Sequence, residues 1–112
     1  MVIIAFSDKT SKIIPRIACH KFKHCAPIIP CGPDMIMYQF TAPGHVTKIK
    51  INMNGIRRLR RNGWHFIYLP CDTPQYFAEC NALTCVDLTK RALGIHKPWI
   101  WRPDGLYKYL CN

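Results

Sequence analysis

Residues 35–51, MIMYQFTAPGHVTKIKI, predict two β-strands joined by a turn. The first strand, residues 35–41, is mainly apolar and aromatic, and the second, residues 45–51, alternates side chains in the manner of a half-exposed strand. Between them, Ala42-Pro43-Gly44 favours a reversal of the chain. The segment therefore predicts an antiparallel pair within a larger sheet.

Further strands and helices are predicted on both sides of this pair. Apolar runs bounded by turn residues predict strands at 2–6, 23–29 and 64–69, with a loop at 30–34. Helices are predicted at 11–22, from Asn52 or Asn54 to Arg61, at 74–93, and after Pro103. This order predicts an α+β fold in which helices pack on one side of an antiparallel sheet.

Length and composition predict a single domain over residues 1–112. The chain is 49% hydrophobic, which is enough apolar surface to offset the entropy of ordering a core. No apolar run reaches the roughly 20 residues of a membrane-spanning helix, so we expect no transmembrane segment. The first seven residues lack a basic start and are a poor export signal, which favours a cytoplasmic protein.

Cysteine usage favours a reducing compartment and argues against a zinc finger. Seven cysteines are an odd number, and none forms a CxxC pair. We expect most of them to be buried thiols. A metal site over Cys19, His20, His24 and Cys25, with Cys31, would need a helix that ends too early here, so no metal or other cofactor is predicted.

The charge is strongly positive and includes one dense basic run. Sixteen Lys and Arg stand against six Asp and Glu, which gives +10 and predicts affinity for polyanions. Arg57, Arg58, Arg60 and Arg61 fall on a predicted helix whose Ile56 and Leu59 face the core. The run is interpreted either as a solvated helix face or as a polyanion-binding stripe.

Three residues could form a thiol-based catalytic site. Cys85 lies at or near the start of a predicted helix, where the helix dipole and a neighbouring imidazolium lower a thiol pKa. His24 opens a predicted strand, and Gln39 lies on the strand that follows. A Cys nucleophile, a His base and a polar side chain that orients the His are the parts of such a site. A slip of one residue in the strand would present Tyr38 instead of Gln39.

Four segments carry a resemblance to a known superfamily. They are KHCAPI at 23–28, MYQFTAPGHV at 37–46, LTCVDLTKRALGI at 83–95 and RPDGLYKYL at 102–110. Together they resemble the circularly permuted branch of the NlpC/P60 papain-like superfamily, in which a His strand and a polar residue precede a late Cys helix. Pro27 and the loop at 30–33 depart from that pattern.

The resemblance implies a permuted papain-like core and a thiol hydrolase. It makes Cys85 the nucleophile, His24 the base and Gln39 the orienting residue. The implied reaction is cleavage of an amide or other acyl bond in a peptidoglycan peptide, a protein or another peptide. The alternative is a catalytically idle scaffold that binds a polyanion such as nucleic acid through its arginine run.

Trp99 and Trp101 alternate with Ile100 in a proline-rich segment. Such a segment could line a cleft beside the site or pack over the edge of the sheet. We expect packing.

Overall fold

A five-stranded antiparallel sheet forms the centre of the protein in a computed structural model that describes residues 1–7, 24–70 and 82–111. Its spatial order is β4-β3-β2-β1-β5. The strands are β1 (Val2–Ser7), β2 (His24–Cys31), β3 (Asp34–Ala42), β4 (His45–Ile51) and β5 (His65–Leu69). The predicted α+β class with an antiparallel sheet is confirmed. The predicted helix at 11–22 lies outside the described residues.

The strand β1 lies inside the sheet, between β2 and β5. All six of its residues are buried. A strand covered on both faces has no solvent side, and this explains why VIIAFS is almost continuously apolar instead of alternating.

Two tight turns connect β2, β3 and β4. The predicted loop at 30–34 is instead the two-residue turn Gly32-Pro33, because β2 and β3 continue pairing up to Cys31 and Asp34. Gly32 has φ +62°, the left-handed region that two-residue hairpins favour at their first central position. The hairpin predicted at residues 35–51 is confirmed, with Tyr38 opposite Lys48 and a bulge near Phe40.

In the described part of the chain, three helices follow the hairpins: α1 (Met53–Arg61), α2 (Cys85–Leu93) and α3 (Pro103–Cys111). Of the two candidate caps of α1, Asn52 is the one used, and its side chain accepts a hydrogen bond from the N–H of Gly55. The helix predicted at 74–93 is not continuous, because residues 82–84 are not helical and Thr84 is the N-cap of α2; residues 74–81 of that prediction lie outside the described residues. Gly94 ends α2 in the left-handed conformation, and the predicted end of the helix at residue 93 is confirmed.

The helices cover both faces of the sheet. On one face, Val86 of α2 and Leu106 of α3 pack against the alternate residues Val2, Ile4 and Phe6 of β1. The opposite face of β1, including Ile3 and Ala5, packs against Ile56 of α1. The expected one-sided packing therefore holds for α2 and α3 but not for α1, because the apolar side of α1 meets residues of β1 that point the other way.

Pro27 lies within β2 and does not interrupt it. It is buried and pairs with Ile4 of β1. The pairing of β2 with β3 runs from Cys31 to Ile28 and stops next to Pro27, whereas the pairing with β1 continues to His24. Since proline has no N–H to donate, it is compatible with a position where the ladder to one neighbour ends.

The four described cysteines are buried to different degrees, while Cys19, Cys71 and Cys80 lie outside the described residues. The described cysteines are all free thiols; Cys25 is buried and Cys85 is partly buried, but Cys31 and Cys111 are exposed. Cys31 ends β2 at a surface turn, and Cys111 ends the last helix, so neither position is covered by another element. Over the described residues, no helix combines the length and apolar character needed to cross a membrane.

Removing the side chain of Ile56 tests how α1 is attached. Ile56 is 0% exposed, so we expect Ile56→Ala to lower the free energy of unfolding by about 2–5 kcal/mol through lost burial and a cavity. Met53 in the same helix is 46% exposed, and Met53→Ala should change it by less than about 0.5 kcal/mol. Urea unfolding measures both, and equal effects would contradict the packing described for α1.

Candidate active site

Cys85 is the first residue of α2. The helix begins there because Thr84 caps it, its hydroxyl accepting a hydrogen bond from the N–H of Asp87 at 3.0 Å. The carboxylate of Asp87 in turn accepts from the N–H of Leu83 at 3.0 Å and pairs with Arg91. Asp87 is thus a helix-start carboxylate, and Cys85 lies at the positive end of the helix dipole.

The first turn of α2 supplies backbone donors next to the thiol. The N–H groups of an α-helix's first turn have no acceptor within the helix. The hydroxyl of Thr84 accepts a hydrogen bond from the N–H of Asp87, and the carbonyl of Thr84 accepts one from the N–H of Leu88. The N–H groups of Cys85 and Val86 precede these and point out of the helix start, where a negative oxygen could accept from them.

His24 and Gln39 lie in direct contact. The distance from Nε2 of His24 to Oε1 of Gln39 is 2.6 Å. Because an amide oxygen only accepts hydrogen bonds, Nε2 donates, and the second ring nitrogen, Nδ1, is the one that remains to meet Cys85. The amide nitrogen of Gln39 donates to the sulfur of Met37 at 3.8 Å, which fixes the direction of its amide group.

The ring of His24 makes a second contact. Trp64 meets it edge to face, with ring centroids 6.1 Å apart. Trp64 is itself packed against the cluster that holds Ile56. The imidazole is therefore oriented by contacts with a hydrogen-bonding amide and an aromatic ring.

Hydrogen bonds from β2 hold the pKa of Cys85 well below its usual range. The largest contribution is a hydrogen bond from the side chain of Cys25; a hydrogen bond from His24, its positive charge and the backbone of Cys25 lower the pKa further. Burial acts in the opposite direction and raises the pKa, but it is outweighed. Cys85 is therefore a thiolate at pH values where an ordinary thiol is protonated.

The sequence interpretation missed the role of Cys25. It predicts only a buried small residue there, and Cys25 is indeed 0% exposed. In addition, its sulfur lies 3.4 Å from the hydroxyl of Thr89, and that hydroxyl donates to the carbonyl of Cys85 at 2.9 Å. Cys25 and Thr89 thus connect β2 to the first turn of α2. The only signal in the sequence is that Cys25 directly follows His24.

Tyr38, the alternative to Gln39, does not take its place at His24. It packs against the cluster of Phe40, Ala82 and Leu88, which Cys85 also contacts, and Lys48 lies over its ring, 5.8 Å from the centroid. Adjacent strand residues point to opposite faces, so only one of Tyr38 and Gln39 can face His24.

The remaining sequence candidates do not join this site. Trp99 and Trp101 are 70% and 60% exposed, so the expectation that they pack over the sheet is wrong. The ammonium group of Lys97 lies over the ring of Trp99, and the guanidinium of Arg102 lies over the ring of Trp101. Among the described residues, no three His, Cys, Asp or Glu side chains group as metal ligands; Cys19 and His20 lie outside that part of the chain.

Comparisons of this chain with protein-family models, with curated proteins and with solved structures find no match.

Substitution of Cys25 tests the origin of the lowered pKa. Because only the thiolate reacts with iodoacetamide, Cys85 should be alkylated well below the usual thiol pKa of about 8.5. Cys25→Ala removes the largest stabilising hydrogen bond and should move the inflection to higher pH, lowering the rate at acid pH by about tenfold or more. Cys25→Ser keeps a hydrogen-bond donor and should move the inflection by less. Site-resolved mass spectrometry measures the rates.

Exposed Cys31 and Cys111 provide internal references in the same samples. Circular dichroism shows whether each variant is folded. An inflection for Cys85 that is the same in the protein and in folded Cys25→Ala would contradict the assignment.

Proposed function

We propose that the protein is a thiol hydrolase that uses Cys85 as nucleophile, His24 as acid and base, and Gln39 to orient His24. The observation that carries the proposal is the position of Cys85 at a helix start, where hydrogen bonds from Cys25 and His24 lower its pKa, with His24 held by Gln39 at 2.6 Å. A lowered thiol pKa favours an active site over an idle scaffold, because buried cysteines with no catalytic role keep their proton.

In the first half of the reaction, the sulfur of Cys85 attacks the carbonyl carbon of the substrate. The C–O π bond becomes an oxyanion, and the carbon becomes tetrahedral. When the oxyanion collapses, the bond to the leaving nitrogen or oxygen breaks, and His24 donates a proton to that atom. The product is an acyl thioester on Cys85, with the amine or alcohol released.

In the second half, water removes the acyl group. His24, now neutral, accepts a proton from water as the water oxygen attacks the thioester carbon. The carbon–sulfur bond then breaks, which releases the carboxylic acid and restores the thiolate–imidazolium pair. No metal or organic cofactor takes part in either half.

The backbone at the start of α2 is suited to the oxyanion. The N–H of Cys85 has no acceptor within its helix and belongs to the same residue as the attacking sulfur. Donors fixed in advance stabilise a developing charge without having to reorganise during the reaction, and this is often the largest single contribution to catalysis.

The contact with Gln39 orients the imidazole of His24. Gln39 binds Nε2 and so directs Nδ1 toward the sulfur. A glutamine is neutral, so it orients the imidazolium without adding a second negative charge. The thiolate of Cys85 is then the one anion facing His24 among these three residues.

The resemblance to permuted NlpC/P60 proteins supports a peptide or acyl substrate. Cell-wall peptides, other peptides and other acyl compounds all fit the chemistry. A reducing, cytoplasmic compartment suits a protein whose described cysteines are free and include exposed Cys31 and Cys111. A cell-wall substrate would require export of the protein.

Turnover of p-nitrophenyl acetate, an activated acyl ester, tests the mechanism. We expect a burst of p-nitrophenol, one acetyl group on Cys85 by mass spectrometry, and slow turnover. Cys85→Ala should abolish the burst, and His24→Ala should lower the acylation rate about 10²–10⁴-fold. Gln39→Ala should lower it less and raise the pH at which the rate falls off, because a loosely held imidazole stabilises the thiolate poorly.

Cys31→Ala is the matched control, since Cys31 is an exposed thiol at the far end of β2. It should leave the burst unchanged. Acetylation of Cys31 or Cys111 at the same rate as Cys85, or an undiminished burst in Cys85→Ala, would contradict the proposal. Incubation with muropeptides and with an unrelated peptide library then distinguishes the substrate classes.

A further inference from the structure

The arginines of α1 form a continuous cationic surface, which is defined here as the Arg face. At about 100° per residue, Arg57, Arg58, Arg60 and Arg61 span an arc of about 160° around the helix. All four side chains are exposed, whereas Ile56 and Leu59 occupy the other side and pack on the sheet. The sequence left open whether this run is merely solvated.

Two of the arginines are held in place. Arg57 donates to Oδ1 of Asn54 at 2.9 Å. Arg60 donates to the hydroxyl of Tyr68 at 2.9 Å, and its guanidinium lies over the ring of Phe66, 5.5 Å from the centroid. A long side chain loses rotational freedom when it binds a ligand, so arginines that are already ordered bind at a lower entropic cost.

Carboxylates do not neutralise the Arg face within the described part of the chain. The aspartates there are three, and each pairs with a cation outside the Arg face: Asp34 with Lys50, Asp87 with Arg91 and Asp104 with Arg102. The first turn of α1 contains no acidic residue. Four adjacent positive charges repel one another, and an external anion relieves that repulsion.

The shape of the Arg face is that of a shallow depression bounded by charged groups. Asn54, Arg57, Arg60 and Arg61 line a cavity of about 620 Å³. Guanidinium groups bind two oxygens of one phosphate at once, which suits a row of phosphates better than scattered carboxylates. The lining groups are hydrogen-bond donors apart from the amide oxygen of Asn54, which Arg57 already uses.

We propose that the Arg face binds the phosphate backbone of double-stranded nucleic acid. The helix is nine residues, about 13 Å, long, and this length fits against a duplex groove. A membrane surface is a poorer partner, because an interfacial helix inserts its apolar side into lipid and Ile56 of α1 is buried against the sheet. A single strand is also disfavoured, since stacking platforms for bases require several aromatic rings, and within residues 1–7, 24–70 and 82–111 Tyr68 is the one exposed ring shown in contact with these arginines.

Binding to the Arg face is separate from the chemistry of Cys85. Helix α1 packs on the face of the sheet opposite α2, so the proposal does not rest on the thiol hydrolase. We expect Cys85→Ala to bind duplex DNA as well as the unmodified protein does. Loss of catalysis and loss of binding are therefore distinguishable.

Fluorescence anisotropy with a labelled, mixed-sequence DNA duplex across a salt series tests the proposal. The logarithm of the binding constant should fall with the logarithm of salt concentration with a slope of about −4, because each neutralised phosphate contributes about −0.9. The double variant Arg57→Gln, Arg61→Gln should weaken binding at low salt at least about tenfold and reduce the magnitude of the slope by about 2.

The matched control is Lys97→Gln, Lys108→Gln, which removes the same net charge from another part of the surface. It should change binding little. Equal weakening by both double variants would show that only net charge matters and would overturn the proposal. Binding to phosphatidylcholine–phosphatidylserine vesicles that depends on Arg57 and Arg61, with no such dependence for the duplex, would also overturn it.

Discussion

The hydrogen bonds that β2 gives to Cys85 are the interaction on which the candidate site depends. Cys25 and His24 are consecutive residues at the start of β2, and both lower the pKa of a thiol that burial alone would raise. Helix α2 must therefore begin at Cys85 and lie against that strand end. Thr84 fixes where the helix starts, and Thr89, one turn later, connects it to Cys25.

The strand geometry explains how three residues from separate elements meet. The pairing of β2 with β3 stops beside Pro27, and residues 24–27 continue to pair with β1 alone. Beyond that point, Gln39 reaches His24 through its side chain instead of through the backbone. Pro27, which departs from the pattern of the resembled superfamily, thus lies where the pairing of β2 with β3 ends and the candidate site begins.

Local patterns in the sequence predicted much of this arrangement. The hairpin of residues 35–51, the cap of α1 and the helix after Pro103 follow from alternation, capping residues and proline placement, which act over a few residues. The candidate positions of Cys85, His24 and Gln39 came from chemistry and from the resemblance. Placing them within contact distance required the tertiary fold.

Other features could not be predicted because they arise from long-range packing. The donor role of Cys25 depends on α2 lying across β2, which no local pattern encodes. The exposure of Trp99 and Trp101 depends on Ile100 alone turning inward, although aromatic residues in such a segment usually pack. Helix α1 packs opposite the other helices because of which residues of β1 it meets.

The most direct test of the account is the ultraviolet absorbance of the Cys85 thiolate, taken as the difference between the protein and its Cys85→Ser variant across pH. We expect the thiolate signal to persist well below the usual thiol pKa of about 8.5 and to disappear only in acid. A signal that appears only as pH rises through that usual value would contradict it, because Cys85 would then be an ordinary thiol.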